Sequence, residues 1–280
     1  MTVHIVTDST SDIPHDLAEE LHITVVPLTI TFGTESFRDG LDLSADEFYA
    51  RLQESKQLPT TSQPPPALFE YAYKHLASQG DVVSVHISHK FSGTVETARA
   101  VAQEVAPDRI TVVDTGFVSM GLGLCVLAAA RAARDGASRE ECAAAAESVA
   151  GRLRVAVAFE TLEYLRRGGR IGRATAFLGG LLHLKPILTV KDGETHPVTR
   201  VRSRSKAIDA LFQLCADGDV TEVAVLHTTT PDDAAALVER IRQAVPDVHV
   251  HTGRFGPALG VHGGPGMLGL AAVATTAPAV

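Results

Sequence analysis

Residues 81–94 read Asp81-Val82-Val83-Ser84-Val85-His86-Ile87-Ser88-His89-Lys90-Phe91-Ser92-Gly93-Thr94, and they decide the fold as strand, tight turn and helix start. Val82, Val83, Val85 and Ile87 make the dense β-branched run of a strand covered on both faces, while Val95, Ala98, Val101, Ala102 and Val105 recur at helical spacing. The turn between them carries hydroxyls. Ser92 stands where a side-chain oxygen caps a helix, and Gly93 lets a ligand approach the backbone. The unpaired first-turn N–H groups can hold an anion. The same residues would serve equally as a plain helix cap.

Working outward, Val3–Val6 reads as a first strand ending in Thr7-Asp8-Ser9-Thr10, and Ile110–Val113 as another ending in Asp114-Thr115-Gly116. Open parallel sheets bind ligands outside the carboxyl ends of their strands, so Asp8, Ser9 and Thr10 are site candidates, with turn and cap as the alternative. Ile23–Phe32 is strand-like, with an edge or irregularity at Pro27. Ser44 with Glu47, and Ser138 with Glu141, are capping boxes that start two helices. Leu58-Pro59-Thr60-Thr61-Ser62-Gln63-Pro64-Pro65-Pro66 is a stiff polar loop, able to deliver a threonine or serine hydroxyl to a ligand with little ordering cost.

A chain of 280 residues suggests two α/β domains, divided near Gly151–Arg154 into 1–153 and 154–280. With 45% hydrophobic and 21% charged residues it is an ordinary globular chain, and its net charge of -8 argues against general nucleic-acid or anionic-membrane binding. The three cysteines stand far apart and read as buried thiols, without the spacing of a zinc site or redox dithiol. No signal-like segment opens the chain, and the apolar run Phe117–Ala130 falls short of the roughly 20 residues of a membrane span, so a cytoplasmic protein is expected. Neither a dinucleotide fingerprint nor a phosphate loop is complete, and no cofactor or metal is expected.

In the second half, Val155–Phe159 is a strand and Thr161–Arg167 helical, broken by Gly168-Gly169. The apolar segment Ala174–Leu184, with small Gly179 and Gly180, is a candidate cavity wall. Asp192-Gly193 between Lys185–Val190 and Glu194–Val201 is a strong hairpin signal. Arg200, Arg202, Arg204 and Lys206 form a basic cluster at the start of a helix, either solvated or a docking patch for an acidic or phosphorylated partner. Val220–His227 and Val248–His251 are expected to complete the strands, with Thr230-Pro231-Asp232-Asp233 capping the helix between them. His262 sits among glycines in Gly256–Gly266, a setting for an imidazole that donates to a carboxylate or, when protonated, pairs with it.

Thr61-Ser62-Gln63-Pro64, Phe91-Ser92-Gly93-Thr94, Arg167-Gly168-Gly169-Arg170-Ile171 and His262-Gly263-Gly264-Pro265-Gly266, in this order and with Asp8-Ser9 after the first strand, resemble the DegV family of bacterial fatty-acid-binding proteins over nearly the whole chain. Pro65 stands where that family commonly has serine, and Gly263 where it often has threonine. The resemblance implies an N-terminal Rossmann-like domain with a mainly parallel sheet and a C-terminal α/β sandwich domain with a mixed sheet, the ligand lying between them. It also implies a long-chain fatty acid whose carboxylate is held near Thr61, Ser92, Gly93, Arg170 and His262, with its tail in an apolar tunnel. Some members present the bound acid to a separate fatty acid kinase, which forms the acyl phosphate, and Arg202, with its neighbours Arg200 and Arg204, falls in the region associated with docking it. Two rival readings are a serine hydrolase using Ser92 and His262, and a phosphotransfer enzyme related to dihydroxyacetone kinase. The first lacks the leading glycine of a nucleophile elbow and an identifiable third member, and the second lacks a phosphate loop.

Overall fold

The computed structural model describes residues 2–55, 57–178 and 184–276. From the amino terminus the elements run β1 (Val3–Asp8), α1 (His15–Glu20), β2 (Thr24–Val26), β3 (Thr29–Phe32), β4 (Glu35–Arg38), α2 (Ala45–Glu54) and β5 (Thr60–Ser62). Then follow α3 (Pro66–Ala77), β6 (Asp81–His86), α4 (Thr94–Val105), β7 (Ile110–Asp114), α5 (Met120–Arg134) and α6 (Arg139–Ala150). The second half holds β8 (Leu153–Ala158), α7 (Glu163–Arg167), β9 (Lys185–Lys191), β10 (Glu194–Val201), α8 (Arg204–Phe212), β11 (Val220–His227), α9 (Pro231–Ala244), β12 (His249–Arg254), α10 (Pro257–Gly263) and β13 (Leu268–Ala274). Among the described residues no helix is long and apolar enough to cross a membrane.

The first sheet is parallel, in the order β2-β1-β6-β7. Successive side chains of β6 point to opposite faces, so Val83 and Val85 join the core with α5 and α6, while Val82 packs with Phe69, Tyr73 and Ala98 of α3 and α4. Burial on both faces stabilises such a strand by roughly 1.5–3 kcal/mol for each fully covered valine or leucine. That is why residues 82–87 are dense in β-branched side chains, with only the buried Ser84 and His86 between them. Cys125, Cys142 and Cys215 are all buried and free.

A second sheet is mixed, in the order β10-β9-β8-β13-β11-β12. Its hairpin turns at Asp192 (φ 51°) and Gly193 (φ 78°), both left-handed as a primed turn requires. The strand set does not end at His251 as expected. β13 lies at the centre of the sheet, antiparallel to both β8 and β11. Its sequence, Leu-Gly-Leu-Ala-Ala-Val-Ala, is buried on both faces and therefore lacks alternation, and its glycine and alanines carry little strand propensity.

Several local expectations are corrected. Ile23–Phe32 is two strands broken at Pro27-Leu28, with β2 in the parallel sheet and β3 in a small antiparallel sheet of order β4-β3-β5. The polar loop before α3 contains β5, whose Thr61 pairs with Ile30. Ser92 does not cap α4; Gly93 occupies that position, and the Ser92 hydroxyl bonds the Thr94 hydroxyl at 2.8 Å. Thr230 makes no side-chain cap, because its hydroxyl accepts from Arg204 and donates to the Met267 carbonyl. Both capping boxes form. Residues 172–177 are a 3₁₀ turn, and the Gly179-Gly180 pair lies outside the described residues.

Candidate ligand-binding site

A cavity of about 380 Å³ lies between the carboxyl-terminal edge of the parallel sheet and one face of the mixed sheet. Ile87, Val118 and Met120 wall one side; Val155, Val157, Leu188, Leu226 and Ala271 wall the other. Pleating places Val155 and Val157 on one face of β8, and their register partners Ala271 and Gly269 on the same face of β13. Ala271 leaves room that a larger side chain would fill, whereas the space over Gly269 is taken by the Phe255 ring, itself part of the cavity wall.

The polar end collects residues from distant parts of the chain. Thr61, Ser92, Gly93, Arg170 and His262 all line this one cavity. Thr61 Oγ1 and His262 Nε2 are 2.8 Å apart, joining β5 to α10. Arg170 Nε donates to the Phe91 carbonyl (3.0 Å), and its Nη1 to the Gly168 carbonyl (2.9 Å), so the guanidinium is fixed beside the turn that carries Ser92. The space above Gly93 belongs to the Gln63 carboxamide, which a Cβ at 93 would strike. Gln63 Nε2 in turn donates to Thr97 Oγ1 at 2.7 Å, tying the segment after β5 to α4.

His262 is not a cation here. Burial, reinforced by the Arg170 charge, pushes its imidazole down to about 4, so the fixed positive charge at the polar end belongs to Arg170. His262 Nδ1 is buried and has no hydrogen-bond partner among the described residues. Ser92 Oγ is bonded to Thr94 and His262 Nε2 to Thr61, so the serine–imidazole bond of a hydrolase is not made.

Short α10 is seated by groups that sequence reading did not single out. Asp12 Oδ1 accepts from the Gly256 N–H (2.9 Å), Asp39 Oδ1 from the Ala258 N–H (3.3 Å), and the Tyr49 hydroxyl donates to the Phe255 carbonyl (3.1 Å). Burial lifts Asp12 well above the usual carboxylate range and Asp39 to about 6, in spite of the bonds each accepts. Ser119, at φ 56°, lines the cavity and bonds Asp12 Oδ2 at 2.5 Å. The three contacts to the start of α10 join residues more than 200 positions apart in sequence, and no local pattern announces them.

Of the candidates after β1, Thr10 lines the cavity. The Asp8 carboxylate is fully buried and faces inward, accepting from the Thr10 and Ile87 N–H groups and bonding His86 Nδ1 at 2.9 Å. His86 continues through Ser84 Oγ (2.7 Å) to the Tyr73 hydroxyl (2.8 Å), a polar chain that ties β1, β6 and α3 together. Ser9 Oγ accepts from the Leu28 N–H.

The basic cluster separates into unlike residues. Arg204 is internal, donating to Asp233 Oδ2 (2.6 Å), the Gly266 carbonyl (2.8 Å) and Thr230 Oγ1 (2.7 Å). Arg200 stacks 4.2 Å above the Phe177 ring. Arg202 stands exposed between β10 and α8. The expectation of a docking side chain therefore does not fit Arg204, whose hydrogen-bonding capacity goes to holding α8, α9 and the loop before β13 together.

A family profile described as an uncharacterised protein of the DegV family matches residues 2–275. A DegV domain-containing protein of Streptomyces coelicolor is 41% identical over 274 residues, covering 96% of this chain and 97% of that one. A solved DegV family protein from Thermus thermophilus, described by its fatty acid binding, superposes with a TM-score of 0.91 at 38% identity, over 98% of this chain and 100% of that one. A stearic acid-binding protein from Eubacterium ventriosum superposes with a TM-score of 0.88 at 26% identity, over 98% of each chain.

Proposed function

The chain belongs to the DegV family, and from that premise we propose that it binds a long-chain fatty acid, with the carboxylate at Thr61, Ser92, Gly93, Arg170 and His262 and the tail in the apolar cavity. The observation that carries this reading is that these five residues line one cavity whose other walls are largely aliphatic, drawn from the segments beyond the parallel sheet (Ile87, Val118, Met120) and from the mixed sheet (Val155, Val157, Leu188, Leu226). Its volume of about 380 Å³ lies within the range of roughly 300–1,000 Å³ common to small-molecule sites. Fatty acid binding by the Thermus thermophilus and Eubacterium ventriosum relatives supports the ligand class.

The two ends of the cavity would divide the labour. Each buried methylene contributes about 0.8 kcal/mol, so the tail supplies most of the affinity. One hydrogen bond to a charged group adds about 1.5–3 kcal/mol and fixes the register of the chain. The Arg170 charge faces the carboxylate while neutral His262 contributes hydrogen bonding. Native mass spectrometry of the purified protein, followed by extraction and identification of any retained lipid, tests the assignment. A bound fatty acid supports it; a nucleotide as the sole ligand, with no uptake of added fatty acid, sinks it. Equal affinity in Ser92→Ala, Thr61→Ala and His262→Ala would remove the polar end from the account.

In this reading the chain is a carrier without a reaction of its own. It divides at 1–153 and 154–280 with the ligand between, and presents the acid to a separate fatty acid kinase. Exposed Arg202 is the docking contact best placed for that partner. Arg202→Glu is expected to abolish kinase-dependent acyl phosphate formation while leaving fatty-acid affinity unchanged; unimpaired formation refutes the docking role.

A further inference from the structure

His249 and His251 stand two residues apart on β12, so pleating places both imidazoles on one face of the strand. Glu222, on the parallel neighbour β11, is the register partner of His249. One ligand atom from each of the three residues lies within 4.8 Å of the others. The imidazole rings meet edge to face at 4.4 Å, and His251 Nε2 lies 2.5 Å from Glu222 Oε1. Arg131 of α5 holds the same carboxylate from behind, Nη1 donating to Oε2 (2.9 Å) and Nη2 to Oε1 (2.6 Å). The histidines open on a groove between β12 and α1, walled by Pro14, Asp16, Glu20 and Arg134.

We propose that Glu222, His249 and His251 form a binding site for a borderline divalent cation of the zinc class, with its remaining coordination position open to the groove. Two imidazoles and one carboxylate are a donor set suited to such ions and poorly suited to calcium or magnesium, which take oxygen ligands. The ion takes the place of the hydrogen bond between His251 Nε2 and Glu222 Oε1. Ligand atoms about 2.0–2.1 Å from a tetrahedral ion stand roughly 3.3 Å apart, so this pair opens by under an ångström from its present separation. Arg131 then remains as the outer partner that fixes the carboxylate plane. An ion pair alone accounts for Glu222, Arg131 and His251, but it gives no role to the second imidazole, which is exposed and held against the first. The site stands on the opposite edge of the mixed sheet from the β9–β10 hairpin, and none of its residues lines the fatty-acid cavity.

The test is calorimetric titration of zinc chloride into the tag-free protein, repeated with His249→Ala and Glu222→Gln. One equivalent is expected to bind the wild type, with affinity reduced at least tenfold in each variant. Cobalt(II) at the same site is expected to give the visible absorption of a tetrahedral complex, lost in His249→Ala. Because His249 is exposed, its removal leaves the fold intact, and circular dichroism checks that directly. No zinc uptake by the wild type, or an unchanged dissociation constant in His249→Ala, overturns the site; the second result places the ion on other histidines of the chain.

Discussion

Gly168→Ala separates the seat of His262 from ordinary packing, because the substituted residue touches no ligand. Gly168 lies in the right-handed helical region (φ -75°, ψ -6°), so alanine is conformationally acceptable there. By itself such a change stabilises a protein by about 0.4–1 kcal/mol, through the narrower unfolded ensemble. Here, however, the new methyl would stand well inside van der Waals contact of His262 Nδ1 and 3.1 Å from Cε1. The imidazole must move, and the 2.8 Å bond to Thr61 Oγ1 is lost with it. Overpacking costs about 1–3 kcal/mol and the lost bond about 0.5–1.5 kcal/mol, so the net effect on stability is destabilising. Loss of one hydrogen bond to the carboxylate lowers fatty-acid affinity by about 1.5–3 kcal/mol, or roughly 10- to 150-fold. Urea denaturation and displacement of a fluorescent fatty acid measure the two effects. In a His262→Ala background the clash with the imidazole disappears and only the Tyr164 carbonyl oxygen, 3.1 Å away, still crowds the methyl: Gly168→Ala should then cost much less stability and leave affinity unchanged. If Gly168→Ala binds fatty acid like the wild type, or weakens binding equally in both backgrounds, the proposed role of His262 is wrong.

Ala271→Leu projects three further carbons into the cavity from the face of β13. Competition across a series of saturated fatty acids should show the preferred length shortened by two or three methylenes, each worth about 0.8 kcal/mol; an unchanged preference would show that the tail runs elsewhere. Asp39, raised by burial to about 6, holds its proton in the folded state at pH values where the unfolded chain has released it. Its contribution to stability is therefore full below about pH 4 and is lost as pH rises to about 6. Asp39→Asn should remove that part of the pH profile, read from urea midpoints at pH 4.5 and 7. His262, depressed to about 4, should give an imidazole NMR signal that does not titrate between pH 8 and 5.5; a midpoint near 6.5 would contradict its burial beside Arg170. Burial raises the Cys125 thiol to about 12 and Cys215 to about 11, so a disulfide reagent should label neither until the protein is unfolded.

Much of the architecture was legible wherever the determining interactions are local. The β6–turn–α4 junction, both capping boxes and the Asp192-Gly193 hairpin each depend on residues only a few positions apart, and each formed as read. β13 escaped because a strand covered on both faces has no alternation, and its small residues answer to tertiary packing, Ala271 to the cavity and Gly269 to the Phe255 ring, instead of to strand propensity. Ser92 was misread as a cap because a hydroxyl before a helix looks the same in sequence whether it bonds the backbone or the neighbouring Thr94.

The motifs around Thr61, Ser92, Arg170 and His262 named residues but said nothing of charge state or reach. Residue type alone settled which groups can donate or accept. Only tertiary packing decided that the imidazole is neutral, because a pKa is set by the burial and neighbouring charge that folding creates. The same holds for the buried Asp12 and Asp39, which meet the start of α10 only once segments more than 200 residues apart are brought together. Local preference is written along the chain, whereas desolvation and long-range contact exist only after it has closed on itself.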